Sequence, residues 1–140
     1  MARGYPDFEG NKAGVYPIGY WAAREGNEVI MQQSDTDKAF QESVGATHTV
    51  TTGKTLYITD ITYYAAASNA ADADKNQFAA LIIYAPFPTT RKLMLGGNGG
   101  GYIQLARPIK VAAGVEVQVW IFGYANHDVD IGFTVGGYEI

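Results

Sequence analysis

The sequence predicts an all-β protein, an antiparallel β-sandwich of the jelly-roll type preceded by an extended N-terminal arm. Two observations predict it. From residue 47 onward, segments rich in β-branched and aromatic residues follow one another with only Gly, Asn, Asp or Pro between them. Before residue 47, glycines at 4, 10, 14, 19 and 26 and prolines at 6 and 17 interrupt every apolar run, so no period of 2 or 3.6 persists. The chain is therefore read as an arm with an edge segment, residues 1–46, and a sandwich, residues 47–140. A chain of 140 residues suits one domain and needs no covalent staple, and it contains no cysteine.

Within the arm, Ser34 to Val44 has a capping-like Ser34 and Asp37 and fits either one helical turn or an edge strand. The expected strands then run through Val50–Ala65, Gln77–Ala85, Lys92–Leu95, Tyr102–Leu105, Ile109–Val111, Val115–Ala125 and Asp128–Ile140. In the first, the apolar phase slips between Ile58 and Ile61, which predicts a bulge near Asp60. In Gln77–Ala85 the run Phe78 to Tyr84 is apolar on both faces and calls for cover on both. In Val115–Tyr124, Val115, Val117, Val119 and Ile121 form a core row, while Trp120, Phe122 and Tyr124 point the other way. Val129, Ile131, Phe133 and Val135 form a second core row. Val50 to Ile58 and Val111 to Val119 share one pattern at an offset of 61 residues: a strand end, a tight glycine turn at Gly53 or Gly114, and a new alternating strand. That pairing fits the two halves of a jelly roll.

Composition narrows function. The net charge is −4, with 14 acidic and 10 basic residues and no basic block, so neither a nucleic-acid partner nor a membrane partner is expected. Residues 1–10 lack an apolar h-region and nowhere do eighteen apolar residues run together, so neither a signal peptide nor a membrane span is expected. Charged residues make up only 17% of the chain, while it holds 10 tyrosines and 17 glycines. So low a charge leaves part of the surface apolar, which suits an oligomer or a docked subunit.

No catalytic centre is expected. Gly53-Lys54-Thr55 lacks the upstream glycine of a phosphate loop, where His48 stands, and precedes a strand rather than a helix. Gly96 to Gly101, with Asn98 among them, lies between short strands and reads as a flexible loop tip able to approach a neighbour closely. His48 and His127 are isolated, so no transition-metal cofactor is expected. Asp72 with Asp74, and Asp128 with Asp130, could hold calcium but read first as solvated turn acids. Asp60 and Glu116 could form a glycosidase pair only if the fold joined them. No GxSxG nucleophile elbow is present.

The aromatic residues carry more information. Tyr5, Phe8, Tyr16, Tyr20 and Trp21 lie where glycine and proline preclude a packed core. Thirty extended residues span ~100 Å, against ~35–40 Å for a globule of this size, so the arm reaches a neighbour or folds back along its own sheet. The expected interface set is these five together with Phe78, Ile82, Tyr84, Trp120, Phe122 and Tyr124.

The arm Gly4 to Gly14, the Val-x-x-Gly turns, Arg107-Pro-Ile-Lys-Val-Ala-Ala-Gly114 and the terminal Gly137-Tyr-Glu-Ile140 resemble the small jelly-roll virion-surface proteins of tailed phages, above all the capsid decoration (cement or auxiliary) proteins. The resemblance covers residues 47–140 in style and the arm more loosely. It implies a homotrimer on the outside of an icosahedral shell, partnered by itself and by the major capsid protein, without enzymatic activity or cofactor. It further implies location on the virion, with the host cytoplasm as the place of assembly. The alternative is a carbohydrate- or receptor-binding fibre tip in which Trp120 or the tyrosines stack on sugar rings.

Overall fold

A computed structural model describes residues 27–140. Eight strands lie in this span: β1 (Asn27–Lys38), β2 (Ser43–Thr49), β3 (Leu56–Ala67), β4 (Phe78–Tyr84), β5 (Arg91–Asn98), β6 (Gly100–Val111), β7 (Glu116–Gly123) and β8 (Val129–Glu139). They form two four-stranded antiparallel sheets, in the orders β1-β8-β3-β6 and β2-β7-β4-β5. The chain changes sheet at every connection except the β4–β5 hairpin. The pairs β1–β8, β2–β7, β3–β6 and β4–β5 are thus one long hairpin rolled into a sandwich, which is the jelly roll.

Side-chain alternation fills the interior. Ile58 and Ile61 of β3, Leu81 and Ile83 of β4, Val117, Val119 and Ile121 of β7, and Val129, Ile131 and Val135 of β8 have no exposed surface. Burying each such aliphatic side chain contributes roughly 1.5–3 kcal/mol, so this interior is the main source of stability. Both expected core rows lie there, except that Val115 is only partly buried. The predicted bulge is also present: Ile58 pairs with Gly137 and Asp60 with Gly136, so Thr59 is the extra residue.

One edge strand of each sheet starts ahead of residue 47. Among the described residues β1 and β2 each pair on one side only, with β8 and β7, and Ser34–Val44 is strand, turn and strand rather than a helical turn. The turn is closed by Glu42 N–H to the Ala39 carbonyl (3.1 Å) and by Ala39 N–H to the Glu42 carboxylate (2.8 Å). Edge strands need match only one neighbour, which is why their pattern fades in the sequence. Tyr102–Leu105 and Ile109–Val111 belong to one edge strand, β6, which accommodates Pro108 in its interior.

The 61-residue repeat has a structural counterpart. Lys54 N–H bonds the Thr51 carbonyl and Val115 N–H the Ala112 carbonyl, with Gly53 at φ 79° and Gly114 at φ 78°, the signature of a type II turn. The rolled hairpin sets the turns side by side, tied by Val50 N–H to Val115 O (3.0 Å) and Gly114 N–H to Val50 O (2.9 Å).

The glycine cluster differs from expectation. Gly96, Gly97 and Asn98 end β5, Gly100 and Gly101 begin β6, and Gly99 alone links the two sheets. Gly100, at φ 97°, lies so close to β3 that a Cβ would meet the Tyr63 carbonyl and stand 2.5 Å from the Tyr64 Cα. The close approach is therefore made within the chain. Gly100→Ala is expected to destabilise the fold by about 2–4 kcal/mol, because φ is unfavourable and the obstacle is backbone. Denaturant unfolding checks this against Gly99→Ala, which meets no neighbouring atom and carries the φ penalty alone.

At the turn-bearing end, the buried Glu139 carboxylate of β8 bonds His48 Nε2 of β2 (2.6 Å) and accepts from Thr51 N–H (3.1 Å), joining the sheets. Burial pushes this carboxyl up, but the hydrogen bonds from Thr51 and His48 outweigh it and hold the group below its ordinary value of 4.5. A lowered folded value stabilises the fold above the unfolded value and ceases to do so as pH falls through the folded one. The melting-temperature gap between wild type and Glu139→Gln should thus be widest above the ordinary carboxylate value of 4.5 and narrow as pH falls below it.

Candidate functional site

The second sheet turns an unusual face to solvent. Its pairings put Gly45, Trp120, Ile82 and Met94 in one row across β2-β7-β4-β5, and Ser43, Phe122, Ala80 and Gly96 in the next. Tyr84 pairs with Gln118 on one flank, and Phe78 with Asn98 on the other. All point away from the core because their neighbours along each strand, such as Ile121 and Leu81, point into it.

Loops extend this face. Phe87, in a loop containing cis Ala85–Pro86 and Phe87–Pro88 bonds, meets Tyr84 edge-on (centroids 5.1 Å apart, planes at 87°) and lies 6.4 Å from Trp120. Phe40, from the β1–β2 turn, meets Tyr124 edge-on at 5.3 Å, and Tyr124 lies 6.4 Å from Phe122. Edge-on contacts match the positive rim of one ring to the negative face of another. The Trp120 ring lies over Gly45, where a Cβ would stand 2.5 Å from Cε3, and its indole N–H donates to Gln118 Oε1 (3.0 Å). Trp120 therefore presents apolar surface outward with its polar atom satisfied.

A depression of about 390 Å3 opens between Phe78, Met94 and Tyr124 because Ala80 and Gly96 form a low floor. Its walls stay exposed, at 41% for Phe78, 57% for Met94 and 40% for Tyr124. No Asp, Glu, Lys or Arg lies in the two central rows. The two rows therefore form a contiguous uncharged, largely apolar and aromatic face.

Gln77 ties down one rim of the face. Its amide N–H groups donate to the carbonyls of Asp72 (2.8 Å) and Lys75 (2.6 Å), leaving its oxygen to accept from His127 Nε2 (2.8 Å). Gln77 N–H bonds the Asn98 side chain (2.7 Å), so two loops and the start of β4 are held together beside Phe78.

The structure thus gathers Phe78, Ile82, Tyr84, Trp120, Phe122 and Tyr124 on one face. Tyr5, Phe8, Tyr16, Tyr20 and Trp21 lie outside the described residues. Phe40, Phe87 and Met94 join the face without having been singled out; only Met94, within the apolar run of Lys92–Leu95, had a strand signal that could have revealed it. The Phe78–Tyr84 strand has its inner cover in the core, and its outer side forms part of the exposed apolar face.

The other candidates separate. Asp60 lies on β3 and Glu116 on β7, in different sheets. Asp72 pairs with Lys75 (2.7 Å). Asp130 accepts from the Ser68 hydroxyl (2.7 Å) and Asp37 N–H (3.1 Å). Among the described residues no three His, Cys, Asp or Glu side chains are grouped to hold a metal ion, and no helix is long and apolar enough to cross a membrane. Comparison with protein-family models and with curated proteins returns no match.

Gln77→Ala is expected to lower stability by about 1–3 kcal/mol, because it strips hydrogen bonds from two carbonyls and His127. Chemical denaturation measures the loss; a change below about 0.5 kcal/mol would mean that water replaces the amide.

Proposed function

We propose that the chain is a structural subunit of a virion surface, a capsid decoration protein that acts by assembly rather than catalysis. The observation that carries this reading is the uncharged aromatic face of the second sheet. Covering such a surface removes unfavourable apolar contact with water, and the jelly roll presents it on a rigid frame. The occupant we assign to it is a second copy of the chain, in a closed homotrimer.

Magnitudes support an assembly with several contacts. Four strands at ~4.8 Å spacing and about seven residues at ~3.3 Å give a face of roughly 450 Å2. A stable pairwise interface buries about 800 Å2 per partner. The face alone is therefore too small for a tight pair. Contacts repeated around a three-fold axis, together with arms carrying Tyr5, Phe8, Tyr16, Tyr20 and Trp21 to the major capsid protein, supply avidity that no single patch can. The outside of the shell is the corresponding location.

Sedimentation velocity tests the self-contact. The wild-type chain should sediment as a trimer, and Ile82→Glu or Met94→Glu, each placing a charge on the face, should shift it to monomer with the far-ultraviolet spectrum unchanged. A wild-type chain that stays monomeric at high micromolar concentration overturns the reading. The arm is tested separately: Tyr20→Ser with Trp21→Ser should leave the trimer intact but abolish co-sedimentation with shells of the major capsid protein.

A further inference from the structure

The outer face of the first sheet differs from that of the second. Its register aligns Gln32, Thr134, Thr62 and Tyr102 in one row across β1-β8-β3-β6, and Ser34, Gly132, Tyr64 and Gly100 in the next. Both rows are uncharged and the first is rich in amide and hydroxyl groups. A groove of about 440 Å3 runs between them, lined by Gln32, Ser34, Thr62, Tyr64 and Thr134 among others, a size in the range of small-molecule sites.

The geometry of Tyr64 is the decisive feature. It sits between Gly132 and Gly100 in the register. Its ring lies over Gly132 so closely that a Cβ there would strike it, with Cζ at 2.8 Å and Oη at 2.9 Å. One side of the ring is thus pressed against the sheet, and the residue remains 44% exposed. It is a flat apolar platform held in place. One row along, about 7 Å away at two residues of strand rise, stand the Thr62 and Thr134 hydroxyls and the Gln32 amide, which donate and accept. Tyr102, 63% exposed, closes the far end of that row.

A ligand matched to this surface has a flat C–H face to lie on the ring and a rim of neutral groups that both donate and accept. Thr134 Oγ1 already donates to Gln32 Oε1 (3.5 Å), which holds the two side chains together and leaves the Gln32 amide N–H groups and the Thr62 hydroxyl to meet a ligand. A charged ligand would find no opposite charge in the groove, and an apolar one would cover these groups without pairing them. We infer that the groove over Tyr64 is a binding site for a neutral pyranose sugar, stacked on Tyr64 and hydrogen-bonded by Gln32, Thr62 and Thr134. The site lies on the sheet opposite the aromatic docking face, so it stays open when that face is covered.

Saturation-transfer NMR on the full chain tests this, using the methyl β-glycosides of glucose, galactose and N-acetylglucosamine and β-1,4-linked tetrasaccharides of glucose and N-acetylglucosamine. At least one sugar should receive saturation on its ring C–H protons. Transfer to the monosaccharide glycoside indicates a free or terminal sugar, and transfer to internal units of a tetrasaccharide alone indicates a polysaccharide chain. Either result supports the site if Tyr64→Ala and, separately, the exposed edge-strand variant Gln32→Ala weaken affinity at least tenfold while Trp120→Ala leaves it unchanged. No transfer to any of these sugars at 10 mM (on the order of the weakest useful affinity) overturns the inference, as does binding that survives both variants or is lost with Trp120→Ala. Sedimentation of Tyr64→Ala keeps this result separate from the assembly reading, since the variant should oligomerise as wild type does.

Discussion

Every described β-strand contributes to one shared interior, and that requirement governs what the surfaces can be. Residues alternate across a strand, so a sandwich with one dry interior commits every second side chain to it. Here those positions hold Ile58, Ile61, Leu81, Ile83, Val119, Ile121, Ile131 and Val135, drawn from both sheets and free of solvent. The two sheets share no ladder of backbone hydrogen bonds, so the contact between these rows is what holds them face to face. The remaining alternate positions are then released from folding duty, and their chemistry reports on something else.

The two outer faces use that freedom differently. On the second sheet, the outward positions of β4, β5 and β7 carry rings and aliphatic groups, and loops add Phe40 and Phe87. On the first sheet, Gln32, Thr62 and Thr134 form a polar row of hydroxyl and amide groups beside a tyrosine pinned over glycine. An apolar face and a neutral polar face thus lie on opposite sides of one sandwich. Glycine makes both faces possible. Gly45 seats the Trp120 ring and Gly132 seats the Tyr64 ring, each letting an aromatic ring approach a strand where a Cβ would collide with it.

Buried polar ties complete the frame. Glu139 and His48 link the sheets at the turn-bearing end, and Gln77 and His127 link the loops beside Phe78. The sequence shows these histidines as isolated because their partners lie 91 and 50 residues away. Each serves as a cross-link between segments that only the roll of the chain brings together.

The sequence by itself determined the β class, most of the core rows of β7 and β8, the bulge near Asp60 and the shared glycine-turn pattern at Gly53 and Gly114. These are local: a period of two or a positive-φ glycine leaves its mark within a few residues. It also marked Phe78, Ile82, Tyr84, Trp120, Phe122 and Tyr124, because an apolar residue out of phase with the core is visible in a single strand. Tertiary structure alone decided that these six share one face, since cross-strand register is set by core packing and turn geometry between distant segments. It alone chose edge strand over helical turn for Ser34–Val44, where pairing on one side leaves a weak pattern, and turned Gly96–Gly101 from an expected loop tip into strand ends pressed on β3. The groove over Tyr64 belongs to the same class, for it is built from β1, β3 and β8, and its residues are unremarked polar positions until the sheet sets them side by side.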